Sequence, residues 1–80
     1  LILEFISYLI NSIMAKIQLN GKKITIKPKV TIYELLKKLK LNNKKIAIEH
    51  NGTIIPKSNY KKKHLNNKDK LEVVHFIGGG

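Results

Sequence analysis

Between Lys16 and Asn20 apolar and polar residues alternate, with Ile17 and Leu19 on one face and Lys16 and Gln18 on the other, the two-residue period of a half-buried strand. Asn20-Gly21 follows, a pair that tolerates positive φ and so favours a tight hairpin turn. Ile24 and Ile26 then alternate with Lys23, Thr25 and Lys27, so the first two elements are predicted to form an antiparallel hairpin facing one core. Pro28, which lacks a backbone donor, ends that ladder. Thr31-Ile32-Tyr33-Glu34 has the spacing of a capping box: the threonine hydroxyl accepts from the backbone N–H three residues on, and the glutamate reaches back to the cap. Behind it Ile32, Leu35, Leu36 and Leu39 recur on one helical face, while the late lysines Lys37, Lys38 and Lys40 suit the negative end of the helix dipole. Asn42-Asn43 suits the exit from this helix. Ile46 and Ile48 begin a third strand that turns at Asn51-Gly52, and Thr53-Ile54-Ile55 is a short fourth strand stopped by Pro56. The segment 57–70 reads as polar and irregular apart from Tyr60 and Leu65. Leu71-Glu72-Val73-Val74-His75-Phe76-Ile77 then reads as a last strand running into Gly78-Gly79-Gly80.

The order is β-β-α-β-β-loop-β, with one helix to cover one face of a sheet. A crossover helix returns the chain parallel to the first hairpin, which places the last strand in the middle of the sheet. The predicted class is α+β, a β-grasp or ubiquitin-like architecture: a mixed sheet covered by one main helix. Residues 14–77 form the domain, and 78–80 form a flexible glycine tail. Strict alternation along the last strand puts Leu71, Val73 and His75 on one side and Val74 and Phe76 on the other. With Leu71 and Val73 assigned to the core, Val74 and Phe76 face outward, and Phe76 next to the tail is a reasonable partner anchor.

Residues 1–13 break from this pattern. They are dominated by apolar side chains, hold no lysine, and carry Glu4 as their one charge. The run is shorter than the roughly 20 residues that cross a bilayer, and it has neither the basic start nor the small-residue cleavage site of a signal peptide. No membrane span and no export are therefore expected. On a helix Glu4, Ser7 and Asn11 form one narrow polar stripe on an apolar rod that could dock on a partner or a membrane interface. The composition shift favours a simpler reading, in which the natural start is Met14 and the preceding residues are upstream sequence.

Composition narrows the chemistry. The 80 residues hold 16 basic side chains, all lysine, against 5 acidic ones, a net charge of +11. Such a length gives one small core and no second domain. With no cysteine, disulfides, thiolate metal sites and thiol catalysis are excluded together. The charge favours polyanions, yet the planar guanidinium fork that clamps phosphate or reads guanine is missing. An AT-rich genome, in which lysine, asparagine and isoleucine are default choices, explains the same bias. His50, His64 and His75 are far apart in sequence, and the few carboxylates suggest no acid–base pair; Glu34 is assigned to the helix cap and Asp69 to the turn before the last strand. The glycine run does not open a helix and is not a phosphate loop. Read as a C-terminus, it does something else. Without Cβ atoms it can extend through a narrow slot and present an α-carboxylate to another protein. That carboxylate, with a reference pKa of about 3.3–3.7, is ionised and a poor electrophile until a phosphate anhydride activates it.

The approach Val74-His75-Phe76-Ile77-Gly78-Gly79-Gly80, after the Asp69 turn and the Leu71-Glu72-Val73 strand, resembles the C-terminus of the ThiS family, sulfur carriers of thiamine (thiazole) biosynthesis. The likeness extends over Met14 to Gly80, including Leu19-Asn20-Gly21, the helix from Thr31 to Leu39, and Ile54-Ile55-Pro56. The apolar extension and the strong positive charge depart from it. The resemblance implies a protein cosubstrate rather than an enzyme. An E1-like adenylyltransferase would use ATP and Mg2+ to convert the Gly80 carboxylate to an acyl-adenylate. A persulfide from a cysteine desulfurase pathway would replace AMP to leave a thiocarboxylate, and thiazole synthase would take the sulfur. Gly80 would carry the reactive group, Gly79 and Gly78 would give clearance and reach, and Val74, Phe76 and Ile77 would meet the partner. The chain itself would bind no cofactor and no metal and have no catalytic residue. A bacterial cytoplasm or the interior of an organelle of bacterial ancestry, such as a plastid, fits that role. Two alternatives remain at this level. One is the related small subunit of molybdopterin synthase, which also ends in Gly-Gly. The other is a basic nucleic-acid-binding module using Lys57, Lys61, Lys62 and Lys63, for which aromatic residues are few and arginine is absent, so a solvated loop without specific nucleic-acid binding is the better reading.

Overall fold

A computed structural model describes residues 1–76 of the chain. Five strands make one mixed sheet: β1 (Ala15–Leu19), β2 (Lys22–Ile26), β3 (Ile46–His50), β4 (Thr53–Ile55) and β5 (Lys70–His75). Their order is β2-β1-β5-β3-β4, so the last strand is the central one, as the element order predicts. The hairpin β1–β2 turns on Asn20 and Gly21 at φ 49° and 81°, and β3–β4 turns on Asn51 and Gly52 at φ 51° and 87°. Positive φ at both central residues matches the turn twist to the right-handed twist of the strands, which is why Asn-Gly occupies both sites.

β5 runs antiparallel to β3, from Ile46↔His75 to His50↔Leu71, and parallel to β1 over Gln18↔Lys70 and Leu19↔Leu71. The parallel ladder is short, and Asn20 prolongs it. Its backbone N–H donates to Leu71 (2.9 Å), its side-chain Oδ1 accepts from the Val73 N–H (2.6 Å), and its Nδ2 donates to the Val73 carbonyl (3.2 Å). One turn residue therefore closes the hairpin and also satisfies backbone groups of the central strand that β1 no longer reaches.

Helix α2 (Ile32–Lys38) covers one face of the sheet. Thr31 Oγ1 accepts from the Glu34 N–H and the Glu34 carboxylate accepts from the Thr31 N–H, which completes the expected capping box. The two N–H groups of the first turn that cannot be met within the helix donate instead to the following loop, Ile32 to the Lys63 carbonyl and Tyr33 to that of Tyr60, both at 3.0 Å. The polar segment 57–70, which contains a short 3-10 helix at Lys57–Asn59, is thereby tied to the helix start. Tyr60 and Leu65, its two apolar exceptions, lie in the core with Ile17, Ile32, Ile48 and Leu71. Burial pushes the Tyr60 phenol above its ordinary pKa, opposed by a backbone hydrogen bond with Ile48.

At its other end α2 closes as a Schellman motif: the Leu41 N–H donates to Leu36 (3.0 Å) and the Lys40 N–H to Lys37 (3.1 Å), with Lys40 at φ 58°. Leu39, the C-cap just before this turn, is 39% exposed rather than part of the buried stripe that heptad-like spacing assigns to it. Lys40 occupies a left-handed position that glycine fills without steric cost. Lys40→Gly is expected to raise stability by about 0.5–1 kcal/mol in a chemical denaturation series.

Residues 2–13 form a second helix, α1 (Ile2–Ile13), whose apolar side chains all remain exposed. No helix among the described residues is long and apolar enough to cross a membrane.

Candidate functional site

The central strand leads to the candidate site. β5 is held on both sides, and the Phe76 N–H continues the ladder by donating to the Lys45 carbonyl at 2.9 Å. The exit of the chain from the domain is therefore fixed by sheet hydrogen bonds up to the last described residue. Alternation decides what this exit displays. Leu71 and Val73 point into the core, while Val74 and Phe76 lie on the open face and are 55% and 56% exposed. Val74 sits opposite Ala47 of β3, and the next strand over adds Ile54, 64% exposed. These residues make an apolar strip on the face of the sheet that α2 does not cover, ending at Phe76, the last described residue. Val74 and Phe76 are where the strand pattern predicts them. Ile77, Gly78, Gly79 and Gly80 lie outside the described residues. His75 shares its side of the strand with Leu71 and Val73 but is exposed at the strand end.

The beginning of β5 is fixed by a cluster that sequence reasoning did not assemble. Asp69 was assignable to the turn, but its side-chain partners, His50 and Asn51, come from the β3–β4 turn. Its Oδ2 meets His50 Nε2 at 2.7 Å and accepts from the Asn66 N–H at 2.8 Å, while Oδ1 accepts from Asn51 Nδ2 at 3.0 Å. Asn51 also accepts from the Lys70 N–H through its own Oδ1 (2.7 Å) and donates its N–H to the Lys70 carbonyl (2.8 Å). Both His50 and Asp69 are buried. Burial by itself raises the Asp69 pKa; the bonds from Asn66, His50 and Asn51 outweigh it and hold the carboxyl below its ordinary value. The cluster is fully satisfied and turned inward, so it anchors β5 rather than serving a reaction. The signal available in the sequence was weak: a histidine at the end of a strand, one residue before an Asn-Gly turn.

The remaining candidates separate. His64 forms an isolated bridge with Thr31, and no group of three or more potential metal ligands occurs among the described residues. Within the basic loop, Lys57 Nζ donates to the Lys44 carbonyl (3.2 Å) and Lys61 Nζ lies 4.8 Å from the centre of the Tyr33 ring, so two of its four lysines are engaged with the domain itself.

Comparison with known proteins gives a consistent result. A family model described as the ThiS family matches residues 10–80. The chain is 43% identical over 65 residues to the sulfur carrier protein ThiS of Bacillus subtilis, covering 80% of this chain and 98% of that one. It is 42% identical over 65 residues to a thiazole synthase of Paramagnetospirillum magneticum, covering 81% of this chain but 20% of that protein's length. The fold is similar to the crystal structure of a thiamine biosynthesis protein (ThiS) from Geobacter metallireducens, with a TM-score of 0.73 and 26% identity over 81% of this chain and 99% of that one.

Proposed function

Since the chain belongs to the ThiS family, we propose that it is a sulfur carrier of thiamine biosynthesis, a protein cosubstrate without catalytic activity of its own. The observation that carries this reading is the central strand β5, which displays an exposed apolar strip at Val74 and Phe76 just before Ile77 and three glycines in the sequence. In this reading the reactive group is the α-carboxylate of Gly80. An adenylyltransferase supplied with ATP and Mg2+ attaches AMP to one carboxylate oxygen and releases pyrophosphate. A persulfide then attacks the acyl carbon, AMP leaves with that oxygen, and reductive cleavage of the sulfur–sulfur bond by a thiol leaves a thiocarboxylate. Transfer of the sulfur to the thiazole-forming enzyme and hydrolysis restore the carboxylate. The matching region in a thiazole synthase supports that enzyme as the acceptor.

The domain contributes rigidity and reach. Three glycines present no Cβ to the walls of an enzyme slot, while the apolar strip on β5 supplies the contact area that orients them. Phe76→Ala removes the largest exposed ring next to the tail. It is expected to raise the KM of the adenylyltransferase for the carrier about tenfold, with stability changed by less than about 0.5 kcal/mol. Steady-state pyrophosphate release and thermal melting of the same variant check both parts.

The reading is tested by complementation. Expression of the chain in a bacterium lacking its thiamine sulfur carrier is expected to restore growth without thiamine. Rescue of a strain lacking the small subunit of molybdopterin synthase, with no rescue of the thiamine strain, would place the chain in the other pathway.

A further inference from the structure

The open face of the sheet has a second feature, at the opposite end of β5 from Phe76. Gln18 of β1 is in register with Lys23 of β2 on one side and Lys70 of β5 on the other. With strands about 4.8 Å apart, those two lysines stand about 10 Å from each other across the glutamine. Lys16 lies two residues from Gln18 on the same face. Lys68, at φ 71°, is brought alongside by donating its backbone N–H to the Lys16 carbonyl at 2.7 Å. The four lysines line one open cleft of about 330 Å³, and no acidic residue is among its lining. Asp69, the nearest carboxylate in sequence, is buried and engaged with His50, Asn51 and Asn66. The ammonium groups are therefore concentrated within about a Debye length of one another, with Glu72, two residues from Lys70 on the same side of β5, as the nearest carboxylate on the open face.

We infer that Lys16, Lys23, Lys68 and Lys70 form a docking site for a carboxylate-rich patch on the adenylyltransferase that activates the tail. This rests on the carrier function proposed above. One strand links both ends of the face: β5 contributes Lys70 to the cleft and, further along the same side, Val74 and Phe76 to the apolar strip. An enzyme that rests on the apolar strip at Val74 and Phe76 meets these lysines by extending about 20 Å along β5 over the same face. The pattern between them selects protein over nucleic acid. Glu49 and Glu72 are directly paired across β3 and β5 on that face, and neither is in a salt bridge among the described residues. A phosphate backbone laid along β5 would run from the lysines into those carboxylates, whereas a protein surface can alternate in sign to match. The cleft also holds no aromatic side chain on which a base could stack.

The test is steady-state adenylation by the adenylyltransferase of the same organism, with ATP and Mg2+, at several ionic strengths. The fourfold variant K16Q, K23Q, K68Q, K70Q is compared with K37Q, K38Q, K62Q, K63Q, which removes equal charge from α2 and the following loop. The expected result is a KM about tenfold or more higher for the first variant at low salt, with kcat unchanged and a flattened salt dependence. The second variant should stay within about twofold of wild type. For the wild type alone, KM should rise with salt, a readout that needs no variant to fold. An equal rise for both variants, or no change for the first, overturns the inference while leaving the carrier function intact. Tight binding of wild type to mixed-sequence DNA, lost only in the first variant, overturns it in favour of a nucleic acid. Failure of the wild-type chain to release pyrophosphate at any salt overturns the carrier function, and this site with it.

Discussion

Deleting Gly80 is expected to cut adenylate formation at least about a hundredfold while leaving the melting temperature unchanged. One residue of extended chain spans about 3.3–3.6 Å. Removing it withdraws the terminal carboxylate by that distance from a nucleotide phosphate bound elsewhere, and a misplacement of even about 1 Å can cost a reaction roughly a hundredfold. The deleted residue leaves the core untouched, because the buried cluster reaches along β5 only to Val73. Pyrophosphate release by the adenylyltransferase, measured beside thermal unfolding, separates lost chemistry from lost structure. Activity retained by the shortened chain would mean that the reactive group is not the carboxylate of Gly80.

The second large effect lies at the other end of the same strand. Asp69→Ala is expected to destabilise the domain by about 3 kcal/mol, because it leaves the buried His50 ring, the Asn51 amide and the Asn66 N–H without their common acceptor. The loss has a pH signature. The folded carboxyl has a pKa below its ordinary value, so the unfolded chain binds the proton more readily. The contribution is thus complete above that unfolded value and is lost as pH falls through the folded one. Urea denaturation of wild type should therefore weaken progressively below about pH 4, and Asp69→Asn should lack that part of the decline. Parallel pH profiles for the two proteins would show that the carboxylate is not held ionised by the cluster.

How much of this was legible before the structure depends on the range of each interaction. The Asn-Gly turns, the Thr31–Glu34 box and the alternation that exposes Val74 and Phe76 are set by neighbours a few residues apart, and they stand where the sequence pattern places them. The central position of β5 also followed, because connection rules allow few ways to wrap one helix over five strands. The Asp69 cluster did not follow, since His50 and Asp69 are 19 residues apart and meet only when two turns converge. Nor did the role of Asn20, whose side chain reaches Val73, 53 residues away. The lysine cleft draws on β1, β2 and β5 together, so no stretch of sequence displays it; the visible run, Lys61-Lys62-Lys63, lies in a loop elsewhere. Leu39 has the spacing of a core residue but is the C-cap of α2, the last residue before the left-handed turn at Lys40, and is left 39% exposed.

The central claim is that the terminal glycine carries sulfur. Its most direct test is the intact mass of the chain after incubation with the adenylyltransferase, ATP, Mg2+ and a persulfide donor. The expected product is heavier by the difference between sulfur and oxygen, with the change located by fragmentation at Gly80 and absent when ATP is omitted. An unchanged mass in the presence of an enzyme that activates another carrier, or a sulfur located on any residue other than Gly80, would contradict it.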